Sequence, residues 1–148
     1  MMPQQNNVLF YIPVSEDTPL FKKLHQVIAT LGLEGKSEIF RTIDKLIPRL
    51  RYPEGRPRIG VILTADHKDL CEILSIQELL HDLHILLILP DTEYDTVSQG
   101  HILRPRFLTD TDANFANLAE VLRKMGNNHQ VGLETGSKQI FEREEVRE

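Results

Sequence analysis

The chain is poor in the residues that build special chemistry. Its 148 residues include one cysteine, Cys71, and no tryptophan. A single cysteine excludes an internal disulfide, and no cysteine–histidine cluster has the spacing of a zinc site. Glycine and proline number eight each, and no glycine belongs to a G-x-G-x-x-G or G-x-x-x-x-G-K-[ST] phosphate loop. The G-x-S-x-G elbow of α/β hydrolases is missing as well. No apolar run approaches the roughly 18 residues from which a membrane helix is read. Met1 to Asn7 carries neither the basic nor the apolar part of a signal peptide, so the expected setting is a reducing cytoplasm. A formal net charge of −5 argues against nucleic acid as a partner, because phosphate binding needs a basic face.

What is present is an alternation of strand-like and helix-like segments. Val8 to Ile12, Ile59 to Thr64 and Ile85 to Leu89 are continuous apolar runs of the kind that suits strands buried on both faces. Leu9, Ile62, Leu63, Leu86 and Ile88 are the expected core. Ser37 to Thr42 predicts a short edge strand, since Glu38 and Arg41 interrupt it, and Arg106 to Leu108 predicts a final one. Asp17 or Thr18 caps a first helix with Pro19 in its first turn and Gly32 at its end. Ile43, Leu46, Ile47 and Leu50 predict a second helix that Pro48 should kink or shorten. A long third helix is expected from about Lys68 to Leu83, a short fourth one between Thr92 and Ile102, and a fifth from Asp110 or Asp112 to Gly126.

Strict alternation with right-handed crossovers leaves few topologies. The expectation is an α/β fold, a doubly wound five-stranded parallel sheet in the flavodoxin-like order 2-1-3-4-5. Residues 1–126 form the domain; residues 127–148 are a linker and a charged tail.

In such sheets chemistry gathers beyond the strand carboxyl ends. There the chain reads Ser15-Glu16-Asp17, Thr64-Ala65-Asp66-His67 and Pro90-Asp91-Thr92. This layout, over about Val8 to Gly126, resembles the receiver domain of two-component response regulators. The resemblance implies an acidic pair after the first strand that holds Mg²⁺, and a phosphoacceptor aspartate after the third. It also implies a serine or threonine after the fourth strand and a lysine after the fifth. Here the acids are Glu16 and Asp17, beside Ser15. Ala65 takes the phosphoacceptor place with Asp66 one residue late, Pro90 takes the hydroxyl place, and Phe107 takes the lysine place. Asp66 is better read as the cap of the following helix, and an acid at a helix start complements the helix dipole.

The expected function is therefore a degenerate receiver: a signal-transduction interaction module without conventional aspartyl phosphorylation, not an enzyme. Its partner would be a protein, such as a sensor kinase or an output protein. One alternative is a phosphorylatable response regulator with an altered acidic site of Glu16, Asp17 and Asp66. Another is a small α/β ligand-binding protein or enzyme. No cofactor is expected: the loop from Pro13 to Pro19 has no glycine and two acids, which would repel the phosphate of a flavin nucleotide. No metal is expected either. His81 and His84, at helical spacing, read as surface residues, and Cys71 as a core thiol. Arg49, Arg51, Tyr52, Arg56 and Arg58 form the main basic stretch, by default a solvated face. Ile102, Leu103, Val131, Leu133, Ile140 and Phe141 are the expected surface of a two-fold homodimer.

Overall fold

The structure is a computed structural model that describes residues 8–52 and 57–127; of Gly126 and Asn127 it gives the backbone only. The five strands are β1 (Val8–Tyr11), β2 (Ser37–Phe40), β3 (Ile59–Leu63), β4 (His84–Leu89) and β5 (Phe107–Asp110). Five α-helices alternate with them: α1 (Pro19–Thr30), α2 (Ile43–Arg51), α3 (His67–Ser75), α4 (Tyr94–His101) and α5 (Ala116–Asn127). All neighbouring strands pair in parallel, in the order β2-β1-β3-β4-β5. The doubly wound, flavodoxin-like order read from the alternation is the one observed.

Side chains alternate across each strand, and here both sides are covered. Val8, Phe10, Val61, Leu63, Leu86 and Ile88 pack under α1 and α5 with Leu24, Ile28, Phe115 and Leu118. Leu9, Tyr11, Ile62, Leu87 and Leu89 pack on the opposite face with Leu46, Leu70 and Ile73. Leu9, Ile62, Leu63, Leu86 and Ile88, the core expected from the apolar runs, are each fully buried. Burying one such side chain contributes about 1.5–3 kcal/mol, so the three central strands carry much of the fold's stability.

The edge strand β2 is half-buried, as Glu38 and Arg41 imply. Glu38 faces Arg49 of α2 in a forked pair, Oε1 2.6 Å from Nε and Oε2 2.9 Å from Nη2. That explains an acid within a strand, and it takes Arg49 out of the solvated basic stretch. The helix α2 runs through Pro48 to Arg51 rather than stopping at it; the proline forgoes only one helical N–H bond. Thr18 and Thr42 cap α1 and α2, accepting from Phe21 N and Lys45 N.

Four expectations change. The third helix ends at Ser75, and a 3-10 turn, Gln77–Leu80, precedes β4. Leu79, Leu80 and Leu83 keep helical spacing, but this turn and the loop after it bury Leu80 and half-bury the other two. His84 opens β4 half-buried instead of sitting on a helix surface. Cys71 is exposed, because Leu70 and Ile73 already define the buried face of α3. Finally, β5 spans Phe107–Asp110, extending past Leu108, with Asp110 paired to Leu89.

Among the described residues no helix is long and apolar enough to cross a membrane. Residues 53–56, the N-terminal residues 1–7 and residues 128–148, with Val131, Leu133, Ile140 and Phe141, lie outside the described residues.

Candidate functional site at the strand carboxyl ends

Each strand of the sheet delivers its following loop to one end of the domain. After β1, the Ser15 carbonyl accepts from Thr18 N at 3.0 Å and Thr18 Oγ1 at 2.7 Å, and Ser15 Oγ accepts from Asp17 N at 3.3 Å. Ser15 thus shapes the start of α1. Arg41, just past β2, reaches over this loop. It donates to the carbonyls of Ile12 at 3.2 Å and Val14 at 2.7 Å, and pairs with Glu16 Oε2 at 3.3 Å. Its guanidinium lies 5.2 Å from the centre of the Phe21 ring. The Glu16 carboxylate is therefore engaged by a cation that holds the loop, while Asp17 stands exposed.

After β3, Thr64 is fully buried, and both its N–H and its hydroxyl donate to the carbonyl of Ile88, at 2.9 and 2.7 Å. Ala65 follows. Asp66 is the N-cap of α3: its Oδ1 accepts from Asp69 N at 2.9 Å. Asp69 Oδ2 returns the favour by accepting from Ala65 N at 2.9 Å. This is a reciprocal cap in the manner of a capping box, displaced by one residue at its outer end. Burial raises the pKa of Asp69, the Ala65 hydrogen bond opposes that, and the neighbouring Asp66 charge adds to it. Tyr11, packed beneath, has its pKa pushed up to about 12 by burial and by the charges of Asp69 and Glu72.

After β4, the Pro90 carbonyl accepts from Thr111 Oγ1 at 3.3 Å. Asp91 Oδ2 lies 2.8 Å from His67 Nε2, and its Oδ1 accepts from Glu93 N at 3.0 Å. The buried hydroxyl of Thr96 is 3.3 Å from the same imidazole nitrogen. The Thr96 hydroxyl and then His67 hold the Asp91 carboxyl below its ordinary pKa.

At the carboxyl end of β5 stands Asp110, its Oδ1 accepting from Asp112 N at 2.9 Å. Lys23, on α1, donates to the carbonyls of Thr111 at 3.2 Å and Ala113 at 2.7 Å. It also lies 4.4 Å over the Phe115 ring.

The residues read from sequence thus separate. Ser15, Glu16 and Asp17 share one loop, Ala65, Asp66 and Pro90 stand on the next two, and Phe107 does not belong. Phe107 opens β5 beside Leu86, at the far end of the strand, and packs against the core. The residue at the carboxyl end of β5 is Asp110, an acid. The error came from ending the strand at Leu108; Thr109 and Asp110 are polar, yet an edge strand tolerates them. Lys23, Arg41, His67 and Thr96 were missed. Only the i, i+3 step from Asp66 to Asp69 was a local signal in this region. The others depend on contacts far apart in sequence.

A Mg²⁺ ion does not fit the side chains present. Hard cations need several oxygen ligands, but Glu16 is paired to Arg41, Asp66 caps α3 and Ala65 offers no side-chain oxygen. Among the described residues, no three His, Cys, Asp or Glu side chains converge to hold a metal ion. Comparison with protein-family models, curated proteins and solved structures gave no match.

Proposed function

We infer that the chain is a degenerate receiver-like module, acting in signal transduction by contact with a protein partner and without phosphorylation of an aspartate. One observation carries this reading: the acids nearest the phosphoacceptor place are spent on the scaffold. Asp66 and Asp69 cap α3 reciprocally. Glu16 is bound to Arg41, and Ala65 occupies the acceptor position. A partner, whether a sensor kinase or an output protein, would read the surface of the domain and not a change in its charge.

The test is incubation of the full chain with acetyl phosphate and Mg²⁺, followed by intact-mass measurement. The expected mass is unchanged. A stoichiometric phosphoryl adduct that disappears in Asp66→Asn would establish the rival, a response regulator with an altered acidic site.

A second reading, a small α/β ligand-binding protein or enzyme, draws on His67. An imidazole held by a carboxylate and a buried hydroxyl has the parts of a general base. His67 and Asp91 are both solvent-accessible, with side-chain exposures of 65% and 37%, an open setting for a general base. This favours the interaction module.

A further inference from the structure

We draw no further inference here: the strongest candidate, the groove between the 3-10 turn and the loop before β5, with the buried Leu80 and Leu103 and the exposed Ile102 and Arg104 in its lining, carries nothing because nothing in the structure shows what covers it.

Discussion

The two ends of the sheet are built in opposite ways. At the carboxyl ends, polar side chains are plentiful and most are spent on one another or on backbone: Arg41 and Lys23 hold loop carbonyls, Asp66 and Asp69 cap α3, and Thr64 holds Ile88. At the amino ends, Leu80, Leu83, Ile102 and Leu103 line an open groove together with Gln77, His81 and Arg104, the last with a left-handed backbone. Many polar residues at the expected address for chemistry thus serve the scaffold, while a groove lies at the end where the architecture places no chemistry. An acid count at a strand terminus says little until the partners of each carboxylate are known.

The sharpest way to break this comparison is to remove a cation from the carboxyl end. Lys23→Met keeps the stem that packs near Phe115 but leaves the carbonyls of Thr111 and Ala113 without their donor. Hydrogen bonds to a charged group are worth about 1.5–3 kcal/mol. Urea unfolding should show a loss of that order, with the β5–α5 loop exchanging amide protons faster. A stability within experimental error of the parent would mean that this contact is incidental.

Next is the cap. Asp66→Ala should cost about 1 kcal/mol, whereas Asp66→Asn should cost little, because asparagine caps as well as aspartate. Equal losses in both variants would show that the charge of Asp66 matters and not its hydrogen bond.

The smallest expected effect separates the two ends by pH. Burial, with Arg106 and Arg58, holds the pKa of His84 below 6.5. Its neutral form is therefore favoured by folding: its contribution is full above pH 6.5 and is lost as the pH falls toward the lower folded value. Asp91, held below the ordinary 3.8, gives a contribution present above that value and lost as the pH falls through its folded pKa. Asp69, raised by burial, works in the opposite sense. His84→Gln should flatten the mildly acidic slope of thermal stability, and Asp91→Asn only the strongly acidic one. An unchanged slope below pH 6.5 in His84→Gln would remove His84 as its source.

How much of this was legible in the sequence follows from where the information sits. The strands β1, β3 and β4 are uninterrupted apolar runs because both faces of a doubly wound sheet are covered, and their alternation with helices left one natural strand order. Boundaries were harder. Leu79, Leu80 and Leu83 keep helical spacing although the helix stops at Ser75, since a 3-10 turn and a loop turn the same residues toward the core. The polar residues Thr109 and Asp110 hid the end of β5, so Phe107 was read near its carboxyl end although it opens the strand. Of the site, Asp66 as a cap was readable locally, since cap and helix are adjacent. The grip of Lys23 on Ala113 spans 90 residues, and no periodicity reports a contact of that kind.

The central claim, that the acids of the carboxyl-end face serve the scaffold, is tested most directly by amide chemical shifts during titration with millimolar Mg²⁺. Glu16 bound to Arg41 and Asp66 bound to Asp69 N leave too few oxygens for a specific ion. The predicted result is small, non-saturating shifts scattered over surface acids. Saturable shifts at Glu16, Asp17 and Asp66 together, with one shared midpoint, would contradict it.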